Sequence, residues 1–211
     1  MLEYHEKPWP HFTGTLPEDF YNIVKDKWDT DDNKKEWNKC KNRSNIVIED
    51  DKINTILNDI SLGILSRSKD IFETVYPRLV YEKLTGMCSN LFSENPPNEA
   101  YPMRKLHIDN GNKLVTGLWY FKHEDEKDDG GHLTLHNPKT KEEKIFEYAA
   151  NKIVLFPNTP VSWHYITDRK ESKYPRRFIC MRLEARLKLH DYQTKMGKDI
   201  MTYEDVKNNY E

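Results

Sequence analysis

His107 and Asp109 stand two residues apart in Lys105-Leu106-His107-Ile108-Asp109-Asn110. On a strand that spacing puts both side chains on one face of a sheet, where an imidazole and a carboxylate can reach one ion. A second imidazole is offered by His164, in Val161-Ser162-Trp163-His164, 55 residues beyond Asp109 (164 − 109). Two imidazoles and one carboxylate on one face of an octahedral iron leave three positions for a chelating co-substrate and dioxygen. Zinc usually leaves less room. His-x-Asp alone is weak, because an isolated histidine is more often a surface or hydrogen-bonded core residue than a ligand. The elements around it must carry the case.

Before Pro96 and Pro97 the chain reads as helical. Pro17, Glu18 and Asp19 suit a first turn, and Phe20, Ile23 and Val24 share a face, predicting a helix from Leu16 to Trp28. Ile53, Ile56, Leu57, Ile60 and Ile64 predict a second over Asp51 to Ser66, and Ile71, Val75 and Leu79 a third. The charged stretch from Asp29 to Arg43 reads as loop. After the prolines come short strands separated by turn residues: Tyr101 to Ile108, Leu114 to Phe121, His132 to His136, Ile145 to Tyr148, Ile153 to Phe156, Ser162 to Thr167 and Arg177 to Leu183. Many short strands with no helical pattern between them predict an antiparallel double-sheet roll rather than βαβ units. We therefore expect one domain over 1–211: helical support over 1–97, a roll over 98–187, and a peripheral tail over 188–211 with a short helix at Tyr203 to Tyr210.

Composition narrows the function classes. The chain has 211 residues, enough for one sizeable core, with an apolar fraction of 36% and a charged fraction of 32%. Lys plus Arg number 33 against 35 Asp plus Glu, so no basic excess points to a nucleic-acid partner. Cys40, Cys88 and Cys180 are widely spaced and odd in number, which favours a reduced, cytoplasmic setting. No run of eighteen apolar residues offers a membrane span. The sequence leaves the oligomeric state open.

From Tyr101 to Leu183 the sequence resembles the prolyl-4-hydroxylase-like branch of the 2-oxoglutarate and Fe(II) dependent oxygenases. His-x-Asp is followed by Val115-Thr116-Gly117-Leu118-Trp119-Tyr120-Phe121, then the Gly130-Gly131 turn opening His132-Leu133-Thr134-Leu135. Next come the apolar strand Ile153-Val154-Leu155-Phe156, the distal His164, and a basic residue on the final strand. The resemblance implies a mainly β fold with flanking helices: a double-stranded β-helix, or cupin-like jelly roll, with N-terminal helices packed on its major sheet. It also implies an enzyme, with Fe(II) on His107, Asp109 and His164, 2-oxoglutarate as co-substrate, O2 as oxidant, and C–H hydroxylation with release of succinate and CO2. The substrate is a peptide or protein, or alternatively a free amino acid or small metabolite. A non-catalytic metal-binding roll is a further alternative.

In that family the final basic residue binds the distal carboxylate of 2-oxoglutarate. Arg176 and Arg177 compete for this role, because on a strand they face opposite ways. The strand-mates of Arg177 are the more apolar (Ile179, Met181, Leu183), which favours Arg177; a polar or large residue six positions on, here Arg182, favours Arg176. Arg177 is preferred. The stretch Tyr165 to Pro175 is longer than in the hypoxia-sensing relatives, which also brings in Lys173. Tyr120 resembles the tyrosine that bonds the same carboxylate, and Tyr101 one lining the pocket. Lys113 and Asn110 fall near the mouth by analogy. His132 and His136 read as a polar outer face rather than a second metal site, and Lys122 to Asp129 as a solvated loop placed to act as a lid. Trp119 and Trp163 read as core on the face away from the site.

Overall fold

The structure is a computed structural model that describes residues 2–29, 38–40, 43–77, 81, 84, 86–97, 105–127 and 130–190, with the side chains of 29 and 38–40 excepted. Its strands in chain order are β1 (Glu3–His5), β2 (His11–Thr15), β3 (Asn38–Cys40), β4 (Arg43–Val47), β5 (Gly86–Asn95), β6 (Lys113–Tyr120), β7 (Leu133–His136), β8 (Glu143–Phe146), β9 (Lys152–Pro157), β10 (His164–Ile166) and β11 (Arg176–Ala185). The helices are α1 (Glu18–Asp26), α2 (Asp51–Arg67) and α3 (Lys69–Val75). The strands form an eight-stranded antiparallel sheet, ordered β1-β2-β9-β6-β11-β5-β4-β3, and a three-stranded sheet, β10-β7-β8. This is the expected jelly roll, with a major and a minor sheet.

The two faces of the major sheet hold different cores. On the outer face Ile179, Met181 and Leu183 of β11, Trp119 of β6 and Leu155 of β9 pack with Leu57, Ile64 and Phe72 of the helices. On the inner face Phe178, Tyr120, Val154 and Phe156 meet Leu133 and Leu135 of the minor sheet. The period-2 alternation of strands produces this division. Asp50 caps α2 by accepting from the backbone of Lys52 and Ile53, both at 3.1 Å, which satisfies two of the helix's orphan donors.

Residues 1–97, expected as mainly helical support, hold β1 to β5 as well as the helices. β5 has the sequence Gly-Met-Cys-Ser-Asn-Leu-Phe-Ser-Glu-Asn, with no β-branched residue, and owes its extended form to pairing with β11 and β4. The expected loop over Asp29 to Arg43 likewise contains β3, paired with β4; 30–37, 41 and 42 lie outside the described residues. Of the expected first site strand, 105–108 are described, and only an isolated bridge forms there, between His107 and His164. Leu79 and the expected helix at 203–210 lie outside the described residues. Among the described residues no helix is long and apolar enough to cross a membrane.

Candidate metal centre and co-substrate pocket

The bridge at His107 fixes the geometry of the centre. His107 N–H donates to the His164 carbonyl and His164 N–H to the His107 carbonyl, each at 3.0 Å, so a reciprocal backbone pair sets the two imidazoles side by side. Their ring centroids are 4.2 Å apart. Each Nδ1–H donates to a carbonyl two residues back: His107 to Lys105 at 2.8 Å and His164 to Ser162 at 2.9 Å. Those carbonyls fix the tautomer and leave each Nε2 as the lone-pair nitrogen, the usual support of a metal-ligating histidine. Asp109 Oδ1 lies 3.5 Å from His107 Nε2 and Oδ2 lies 4.0 Å from His164 Nε2. The three buried donors all lie within 4.8 Å of one another and could hold one metal ion; among the described residues no other His, Cys, Asp and Glu group does.

Asp109 is held from two sides. Its Oδ2 accepts from Thr116 Oγ1 and from Lys113 Nζ, both at 3.1 Å. Its carbonyl accepts from His190 Nε2 at 3.1 Å, while His190 Nδ1 takes the hydroxyl proton of Tyr76 at 2.6 Å. Lys113 is therefore an ion-pair partner of the triad. Asn110 is exposed, and its carbonyl accepts from Asn158 Nδ2 at 2.8 Å.

The inner face of the roll runs away from this centre. Across β11 and β6 the pairs are Arg182 with Thr116, Cys180 with Leu118, and Phe178 with Tyr120. Arg176 lies two positions beyond Phe178 on the same face, only 1% exposed. Its Nε donates to the Gly131 carbonyl at 2.9 Å, and its guanidinium carbon lies 5.1 Å from the Tyr120 ring centroid, 5.2 Å from Tyr148 and 4.6 Å from Phe178. Among the described residues, the buried Arg176 Nη2 and Tyr120 Oη have no hydrogen-bond partner within 3.5 Å. Burial lowers the pKa of Arg176, and it pushes the Tyr120 phenol up to about 12 while the neighbouring guanidinium pulls it back. A buried guanidinium and a phenol with spare hydrogen-bonding capacity suit a carboxylate, so the pocket fits the distal end of 2-oxoglutarate.

Arg177, the preferred candidate of the two, lies elsewhere. It points to the opposite face, half-buried, with Nε 3.0 Å from Glu94 Oε2 and its guanidinium 5.6 Å from the Trp28 ring. Its apolar strand-mates Ile179, Met181 and Leu183 line the helix-packed outer core, whereas Arg176 shares the inner face with Tyr120 and Phe178. Lys173 is exposed beside the Tyr174 ring. Tyr101 lies outside the described residues.

The Gly130-Gly131 turn has a steric cause. Both residues have positive φ, 85° and 76°. A Cβ on Gly130 would lie 2.1 Å from the Asp168 carbonyl oxygen, and one on Gly131 would lie 2.9 Å from Arg176 Cδ. Neither His132 nor His136 stands on a plain polar outer face. His132 Nδ1 accepts from Tyr148 N–H at 3.0 Å, and His136 is buried with Nδ1 2.9 Å from Glu143 Oε1. Of the expected lid, 128 and 129 lie outside the described residues. The rest is pinned: His123 stacks on Tyr174 at 4.1 Å and Glu126 is buried against Arg169. Trp119 belongs to the outer core; Trp163 is buried, and its carbonyl accepts from Trp9 Nε1 at 3.2 Å. Sequence reasoning missed Tyr148, Arg169, Glu126 and His190. Only the length of the Tyr165 to Pro175 segment signalled any of them.

Residues 100–182 match the sequence profile described as the 2OG-Fe(II) oxygenase superfamily. No curated protein matches the sequence. Among solved structures, a Pseudomonas putida prolyl-4-hydroxylase is similar with a TM-score of 0.60 at 16% identity, over 84% of this chain and 93% of that one. A 2-oxoglutarate complex of the Arabidopsis thaliana dioxygenase for auxin oxidation is similar with a TM-score of 0.52 at 9% identity, over 81% of this chain and 78% of that one. A prolyl 4-hydroxylase from Phytophthora capsici gives 0.51 at 12% identity, over 83% of this chain and 59% of that one. At these identities the likeness is one of fold. The profile match over residues 100–182 and the His-Asp-His group in that fold agree with one another, and both are similar to what 2OG-Fe(II) oxygenases present.

Proposed function

We propose that His107, Asp109 and His164 hold Fe(II), that Arg176 and Tyr120 bind the distal carboxylate of 2-oxoglutarate, and that the chain hydroxylates a C–H bond of a peptide or protein. The observation that carries this reading is the inner face itself, with three convergent donors at one end and, at the other, a buried arginine that among the described residues has no carboxylate partner. Iron bound there supplies the redox chemistry by which substrate, 2-oxoglutarate and O2 become hydroxylated product, succinate and CO2. The protein's part is positional. Lys105 and Ser162 carbonyls aim the two imidazoles, Thr116 and Lys113 hold the carboxylate, and the aromatic rings around Arg176 keep water from its charge. We read the chain as one domain, because the major sheet draws strands from both halves. The intracellular setting rests on the cysteine pattern alone.

Anaerobic addition of Fe(II) and 2-oxoglutarate should give a visible charge-transfer band, and His107→Ala should abolish it. A band that survives in that variant removes His107 from the site. Succinate release against proline-containing peptides and free amino acids then tests the substrate class. Turnover of free amino acids alone would replace the peptide reading with a small-metabolite one. One observation favours that second reading: Arg182 lies half-buried on the inner face opposite Thr116, with the Asp109 charge acting on it, placed to meet a small carboxylate substrate.

A further inference from the structure

Glu126 and Arg169 take no part in the reading above, yet both are buried, at 7% and 2% exposure. Arg169 Nη2 lies 2.6 Å from Glu126 Oε1 and 2.6 Å from the Tyr174 carbonyl. Among the described residues, the buried Arg169 Nε and Nη1 and Glu126 Oε2 have no hydrogen-bond partner. The stems of Arg169 and Arg176 pass the same glycine: a Cβ on Gly131 would lie 3.7 Å from Arg169 Cδ and 2.9 Å from Arg176 Cδ. Among the described residues, the interior beside Gly131 thus holds two guanidiniums and one carboxylate. Arg176, among the described residues, hydrogen-bonds the uncharged Gly131 carbonyl and Asn95 Oδ1. The charge of Arg169 works against that of Arg176 and the charge of Glu126 works for it.

We propose that Glu126 and Arg169 set the charge of the co-substrate pocket, holding it with Arg176 at one net positive charge, which a single bound carboxylate neutralises. The inference rests on Arg176 being the 2-oxoglutarate anchor. Glu126 and Arg169 are positioning residues in this account: they act on the ligand through the field at Arg176. A buried charge without a counter-charge is strongly disfavoured, so the pocket is completed when one carboxylate arrives. Without Arg169 the pocket is neutral before the ligand binds and negative afterwards. Without Glu126 the two guanidiniums both seek an anion. Removing either partner breaks the same ion pair but moves the field in opposite directions.

That opposition supplies the test, made on the full chain with Fe(II) under anaerobic conditions, with 2-oxoglutarate as the probe and the visible band as the readout. R169Q should weaken 2-oxoglutarate binding about tenfold or more, and E126Q should tighten it about threefold or more. The double variant E126Q/R169Q restores the original pocket charge and should return to within about threefold of the unaltered protein. A pair that merely fastens the loop would weaken binding in all three variants, and that result overturns the proposal. If E126Q does not fold, R169Q against the double variant still decides: recovery supports charge-setting and equal loss overturns it. An unaltered protein that binds Fe(II) but no 2-oxoglutarate would sink the anchor reading, whereas same-direction losses in a protein that binds 2-oxoglutarate sink only the charge-setting role.

Discussion

Arg176 and Arg177 differ by one position and by the face of β11 they occupy, and the consequence for binding is large. Replacing Arg176 by Gln removes a buried guanidinium from the pocket, and the 2-oxoglutarate dissociation constant should rise about a hundredfold. Arg177→Gln breaks a half-buried pair with Glu94 on the other side of the sheet and should leave that constant within about threefold. Anaerobic titration of both variants checks this; a larger loss at Arg177 would return the anchor to that residue. The His-Asp-His group was legible in the sequence because His-x-Asp and a distal histidine form a recognisable set, which the structure brings together. Which face of β11 each arginine occupies was not, since a strand buried on both faces offers two sets and only the helices reveal which set is the outer one. Glu126 was hidden for a similar reason: within the charged run Lys122 to Asp129 nothing marks it as a carboxylate that turns inward onto Arg169.

Between residue and fold, the segments either side of the roll hold the ligand turn in place. Gly111 exchanges backbone hydrogen bonds with 189–190, its N–H donating to His190 O at 3.1 Å and its carbonyl accepting from Leu189 N–H at 3.0 Å. His190 bridges from Asp109 to Tyr76, just past α3. His190→Ala should therefore weaken Co(II) binding roughly threefold to tenfold and Tyr76→Phe by less, read from the visible spectrum of the bound metal; equal affinity in both variants would make this strap a bystander. Gly131→Ala forces a Cβ against Arg176 at a positive φ, and it should weaken 2-oxoglutarate binding while leaving Co(II) binding intact. At this scale the strands of the second half were readable from their apolar alternation and turn residues. Those of the first half were not: β5 is polar and lacks β-branched residues, and β1 and β3 each have three residues, so pairing with distant partners creates them.

The whole molecule depends on segments far apart in the chain. Trp9, in the N-terminal approach to β2, lies between the sheets with Nε1 donating to the Trp163 and His136 carbonyls, and Trp9→Ala should cost about 3–5 kcal/mol by thermal or denaturant unfolding. His11 beside it is fully buried, and burial lowers its pKa from 6.5 to about 4. The unfolded chain takes up that proton below pH 6.5 while the folded one resists, so stability is fully present above about 6.5 and is lost as pH falls towards 4. At about 1.4 kcal/mol per pH unit the loss is roughly 3 kcal/mol. His11→Leu should flatten that part of the stability profile, and an unchanged profile would remove His11 as its source. The reciprocal backbone pair of His107 and His164 bears on the order in which the molecule assembles. Those residues are 57 apart (164 − 107), so the donors converge only after β10 has docked, and a chain still collapsing has nowhere for the ion to sit. Metal should thus leave the refolding rate nearly unchanged and slow unfolding instead, making the ion a lock on the finished roll rather than a seed for it.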